Sequence, residues 1–370
     1  MKRDSSIELA RLLACLGVIG IHTALSPNLG GVYEWDKIFL GCLTTDAVGV
    51  FLMITGCFFF RRTNYKRLWL GTLQKLMLPV ALYSLFIFYL SGWAFEGKTL
   101  LESVSHPIGD YVNVVRSLLT LSHPTADGGH FWYVYVYLLL VLVAPLLGAA
   151  ARYLEESEAR QRNFLLASLA FFALNDFTNN QLAWFSFVSL NGLVPACVVV
   201  LWGHILYRNR ERFLAHRGRS MLVSAGAFLL VNLGRAFVQL YRYETGGDRN
   251  KHILFWYTSV GLICAACVMI FCLSAVNAAK DSRMKRAIVW LASYTFPVYV
   301  VHVKITQILN ESNVILDIHM WIYQFLHGFP CHVLCALASI LAVFGTSFAL
   351  VWALSLIPKG LTIMKKRLSA

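Results

Sequence analysis

The sequence has little charge. Asp, Glu, Lys and Arg make up only 14% of its 370 residues, against about 25% in soluble proteins. It has no G-x-S-x-G elbow, no glycine-rich phosphate cradle and no H-E-x-x-H. No spacing of His, Cys and Asp argues for a metal ion. Internal repeats, low-complexity tracts and a long soluble stretch are also missing. These absences argue against the common soluble hydrolases, nucleotide-cradling enzymes and zinc proteases. What is present is apolar: 58% of the residues are hydrophobic and the mean hydropathy is +0.62. Such a chain reads as a polytopic membrane protein.

Apolar runs long enough to cross about 30 Å of hydrocarbon lie near residues 7–25, 42–60, 73–92, 131–151, 164–182, 188–207, 221–240, 253–277, 287–308 and 332–357. The fifth is interrupted by Asn175 and Asp176. The expectation is an all-α bundle of about ten transmembrane helices forming one integral domain, residues 1–370. Lys2 and Arg3 ahead of the first run resemble a signal peptide. The run is long, Arg11 breaks it and more spans follow, so it reads as an uncleaved helix.

The excess of 32 basic over 19 acidic residues invites a nucleic-acid partner, but its distribution argues against one. The basic residues concentrate on alternate loops: Lys2–Arg3, Arg61–Arg67, Arg152–Arg162, Arg208–Arg219, Lys280–Arg286 and Lys359–Arg367. Positive loops stay cytoplasmic, which places both termini inside a cell membrane and leaves the lipid bilayer as the partner. The outer loops are 93–130 and 309–331, the latter carrying His319 and His327. The nine cysteines, including the Cys264-x-x-Cys267 pair, read as small apolar fillers.

Ionisable residues inside apolar runs are costly and usually face a protein interior or a wet cavity. The run "IELARLLACLGVIGIHTAL" holds three: Glu8, Arg11 and His22. Arg11 and His22 are close to three helical turns apart, on one face, roughly 16 Å along the axis. Glu8 precedes Arg11 by three residues and can pair with it. Together they read as a pathway or a site. The following cytoplasmic segment, "RRTNYKRLWLGTLQK", carries Arg61, Arg62, Lys66, Arg67 and Lys75. These basic residues set topology and meet anionic lipid, or clamp a polyphosphate. Asn232, Arg235 and Gln239 share a helix face that lines an extracellular substrate cleft or bridges helices. His302 and Lys304 sit in the outer half of the ninth span.

Four segments together resemble the integral-membrane acyltransferase-3 family, acyl-CoA-dependent enzymes that modify cell-surface glycans. "IELARLLACLGVIGIHT" is similar to its acidic-x-x-Arg-x(10)-His helix. "AVGVFLMITGCFFF" is similar to its second motif, with Thr55 in place of a serine. "GGHFWYVYVYLLLVLVAP" is similar to its H-x-W-F helix and contributes His130 and Trp132. "SYTFPVYVVH" is similar to its final motif, ending at His302. The family's paired arginines before a proline are not literal here; Arg62 with Lys66, or Lys75 before Pro79, stand nearby. Some members carry an extra hydrolase-like domain, and this sequence is read as the form without one.

The resemblance implies an acyl-CoA co-substrate, most often acetyl-CoA, on the cytoplasmic side. Arg11, Arg61, Arg62, Lys66 and Lys75 would hold it. His22, Arg11 and Glu8 would form the catalytic group, with His22 as base or transient acyl carrier. His130, Trp132, Arg235 and His302 would meet the acceptor, a surface glycan or lipid-linked sugar. The competing reading is a transporter or flippase without covalent chemistry; matching helices broken by Gly or Pro, which that class favours, are not evident in the sequence.

Overall fold

The computed structural model describes residues 3–23, 34–60, 65–95, 97–105, 107, 109–113, 116, 130–178, 192–246, 258–276 and 282–368. Among them no residue is in a β-strand. The chain opens with α1 (Ser5–Thr23), whose first turn is capped by Asp4: its carboxylate accepts from the Ser6 amide at 3.1 Å. Then come α2 (Glu34–Thr44), α3 (Ala47–Phe59) and α4 (Tyr65–Thr72), the last running through a π-turn (Leu73–Met77) into α5 (Leu78–Phe95) and then a short α6 (Leu100–Val104). The next are α7 (Trp132–Leu142), α8 (Ala144–Glu155), α9 (Glu158–Phe177), α10 (Leu193–Arg208), α11 (Arg210–Ala215) and α12 (Arg217–Glu244). The chain closes with α13 (Ser259–Ala275), α14 (Arg283–Ala292), α15 (Thr295–Glu311), α16 (Val314–Tyr323) and α17 (Gly328–Leu368).

Among the described residues five helices are long and apolar enough to cross a membrane: Ser5–Thr23, Trp35–Phe59, Tyr65–Tyr89, Arg217–Glu244 and Gly328–Leu356. The number rises to seven if two bent pairs each count as one span. One pair, α7 and α8, bends by 72° at Val143, where Pro145 opens α8 and has no amide hydrogen to continue the ladder. The other, α14 and α15, bends by 59° at Ser293–Tyr294, just ahead of Pro297. Both breaks fall within apolar runs, 131–151 and 287–308, that the sequence presents as single spans. The shorter apolar helices are α10, α13 and α16.

The segment 309–331, expected as an outer loop, contains the end of α15 and all of α16. His319 is buried there, its Nε2 2.7 Å from Ser339 Oγ on α17. Asp176 and its neighbours, expected to interrupt a span, close a helix contact instead. The Asp176 carboxylate accepts from the Ser259 amide at 2.7 Å and caps the start of α13.

The centre of the bundle is the crossing of α3 and α10, with α1, α7 and α13 around it. The crossing depends on two glycines. A Cβ on Gly56 would lie 1.9 Å from the Val200 carbonyl oxygen, and one on Gly203 2.0 Å from that of Met53. The helices therefore meet backbone to backbone, as small residues permit. Gly203→Ala is expected to destabilise the protein by about 1–3 kcal/mol or more, since neither carbonyl can move aside. Gly218→Ala, where a Cβ would meet nothing within 4 Å, is the control; thermal unfolding in detergent compares them, and equal midpoints would refute the close-contact account. The periphery differs: α12 exposes Leu222, Leu230, Phe237 and Tyr241, a surface suited to lipid. All nine cysteines are unpaired; Cys264 and Cys267 are buried, and Cys264 lies against the Asp46 carboxylate.

Candidate active site

The site begins at the N-terminal half of α1. Arg11 Nη1 donates to Glu8 Oε2 at 2.6 Å. Glu8 is buried, while the Arg11 side chain keeps 28% of its surface exposed. That open part faces a cavity of about 350 Å³, which Lys75 also lines from the π-turn. The rest of the wall is largely aromatic, with Phe51, Tyr133, Tyr137, Phe296 and Tyr299. Thr55, standing where the family has serine, lies in the same wall; its hydroxyl donates to the Phe51 carbonyl at 3.0 Å and is 3.5 Å from the Tyr133 hydroxyl.

Tyr299 joins this cavity to a second group of side chains. Its hydroxyl donates to the His130 carbonyl, which fixes the start of α7 against α15. Its own carbonyl accepts from His302 Nδ1 at 2.7 Å. His302 lies between two other imidazoles, with ring centroids 5.2 Å from His22 and 5.3 Å from His130. His130 Nε2 is 3.3 Å from the Val300 carbonyl. His302 has no exposed surface and His130 almost none, whereas His22, in the last turn of α1, is exposed. Three histidines from residues 22, 130 and 302 thus converge, reached from Arg11 along one helix face.

Other expected site residues fall elsewhere. Lys66 is exposed on α4 and does not line the cavity. Arg61 and Arg62 lie outside the described residues. Trp132 packs half-buried against the main core at the first turn of α7. Lys304 is buried, and its ammonium donates to Gln307 Oε1 at 3.1 Å. Arg235 does not face an extracellular cleft: its side chain has no exposed surface and grips the Asp46 carboxylate at 2.7 and 2.9 Å. Asn232 accepts a third bond from it at 3.1 Å. Of the two readings of that polar stripe, the structure has the helix bridge. Among the described residues no group of three or more His, Cys, Asp or Glu is placed to hold a metal ion.

Sequence reasoning missed Tyr133, Tyr299 and Asp46. The tyrosines were within quoted motifs but look like any aromatic in a span. Asp46, an acid within an apolar run, was a visible signal without a visible partner.

The arrangement combines two basic side chains in the lining of a largely aromatic cavity with imidazoles beside its Tyr299. It suits a ligand with an anionic head and a thin, reactive arm. The chain matches the family model described as an acyltransferase domain over residues 4–356. No curated protein and no solved structure matches it. With that match spanning nearly the whole bundle, the chain belongs to the integral-membrane acyltransferase-3 family.

Proposed function

We propose that this membrane acyltransferase takes an acyl group, acetyl in the simplest case, from cytoplasmic acyl-CoA. It passes the group to a hydroxyl of an extracytoplasmic or lipid-linked glycan. The observation that carries this reading is the cavity shared by Arg11 and Lys75, whose Tyr299 wall touches the His22–His130–His302 group. CoA carries phosphates at one end and its thioester at the end of a slender arm. Cations at the mouth of the cavity attract the phosphates, and the concentration of basic residues on alternate loops supports a cytoplasmic position for that mouth. The 16 Å or so between Arg11 and His22 along α1 is within reach of such an arm. Glu8 holds the guanidinium in place.

The bends in α7–α8 and α14–α15 suit a second reading, movement of a sugar or lipid-linked intermediate without covalent chemistry. Thiol release separates the two. Purified protein in lipid nanodiscs, given acetyl-CoA, should free the CoA thiol; absence of release with intact, folded protein would favour the transporter. Within the enzyme reading, Arg11→Ala removes a charge-assisted contact of about 1.5–3 kcal/mol. The expected result is a loss of roughly ten- to a hundredfold in kcat/KM for acetyl-CoA. Lys75→Ala, at an exposed position, should cost less. An unchanged kcat/KM for the Arg11 variant would remove it from the donor site.

A further inference from the structure

We infer that His302 is the base that takes the proton of the acceptor hydroxyl, an assignment that rests on the acyl-transfer reading above. The argument starts from one hydrogen bond. His302 Nδ1 faces the Tyr299 carbonyl at 2.7 Å. A carbonyl only accepts, so Nδ1 carries the hydrogen. In the neutral ring the lone pair is then on Nε2. That nitrogen is buried and has no hydrogen-bond partner among the described residues. An unsatisfied buried acceptor is costly to keep, and a catalytic role is one of the reasons a protein keeps one.

The neighbours divide the work. His130 has its Nε2 against the Val300 carbonyl, so it is engaged with backbone. His22 is exposed near the outer end of α1 and is the imidazole an incoming acceptor meets first. His302 sits behind it at 5.2 Å between ring centroids, on the side of Tyr299 and the donor cavity. A hydroxyl entering beside His22 can point its hydrogen at the Nε2 lone pair. Its oxygen then attacks the thioester carbonyl carbon and a C–O bond forms. The proton passes to His302 Nε2, and the C–S bond breaks with its electron pair on sulfur. The imidazolium proton returns to that thiolate, giving the ester, free CoA thiol and a neutral His302. Burial of the base also limits activation of water, and so limits wasteful hydrolysis.

The test uses His302→Asn. The asparagine amide lies where Nδ1 does, so it can still donate to the Tyr299 carbonyl, but nothing replaces Nε2. Full-length protein is assayed in membrane vesicles of the producing cell, which hold the acceptor, with radiolabelled acetyl-CoA. Acetyl incorporation into vesicle glycan should fall about 10²–10⁴-fold, with the KM for acetyl-CoA within about twofold. Hydroxylamine, which attacks without a base, is the second nucleophile; acetohydroxamate formation should fall less than tenfold. A purely structural His302 would lower both products together, and glycan transfer near wild type would equally overturn the assignment. If the asparagine variant does not fold, judged by loss of thermal stabilisation by CoA, His302→Gln is read the same way. Wild-type protein that uses no acyl-CoA would overturn the acyl-transfer reading itself, a failure distinct from a working enzyme indifferent to His302.

Discussion

Arg235→Ala is expected to destabilise the protein by about 3–5 kcal/mol, because it strands a buried carboxylate. The guanidinium and Asp46 form a two-pronged ion pair at 2.7 and 2.9 Å, with side chains 0% and 3% exposed. Arg235 also reaches the Cys42 carbonyl, so one side chain ties α12 to the elbow between α2 and α3. Within an apolar bundle neither charge has water to fall back on. Removing both partners is a different matter. Arg235→Met with Asp46→Leu replaces the pair by apolar volume and should recover most of the loss. Thermal unfolding in detergent, run as a double-mutant cycle, measures this. A stable Arg235→Ala protein with selectively impaired acceptor use would restore the cleft reading of this residue and remove the strut.

That residue also shows what the sequence could and could not convey. The Asn232–Arg235–Gln239 stripe was legible because helical spacing is local. Its partner was not, since Asp46 lies 189 residues away in the chain and pairing across such a distance leaves no pattern in one sequence. The group on α1 was readable for the converse reason: Glu8, Arg11 and His22 sit on a single helix, and the Glu8–Arg11 bond follows from the three-residue spacing. The motifs named His22, His130 and His302 one by one, but their convergence was not legible, since neither composition nor periodicity brings separate helices together. The cavity walls were hidden because Tyr133 and Tyr299 resemble aromatics that face lipid. Helix α16 passed for a loop because Asp317 and His319 dilute its apolar run, yet His319 finds Ser339 and the Cys335 carbonyl once α17 folds alongside. Pro145 was visible, but a proline does not announce a 72° bend.

His22→Ala is expected to reduce acyl transfer by roughly 10²–10⁴-fold, the range expected when the proton path it shares with His302 is broken, while the protein remains extractable in detergent. The observations behind this are its exposure in the last turn of α1, its place beside His302 and its common face with Arg11. His22→Gln sharpens the result. Glutamine keeps a donor and an acceptor but cannot titrate. If His22 only holds the acceptor hydroxyl while His302 takes the proton, the glutamine variant should retain much of the activity that alanine loses. If His22 itself carries a proton or the acyl group, glutamine and alanine should fail alike. The double variant His22→Ala with His302→Asn then tests whether the two imidazoles act as one unit. Residues that serve a single step are strongly non-additive, so the double variant should be little worse than the weaker single one. Full multiplication of the two losses, measured as acetyl incorporation, would mean that the histidines act in separate steps, and the shared proton path would be abandoned.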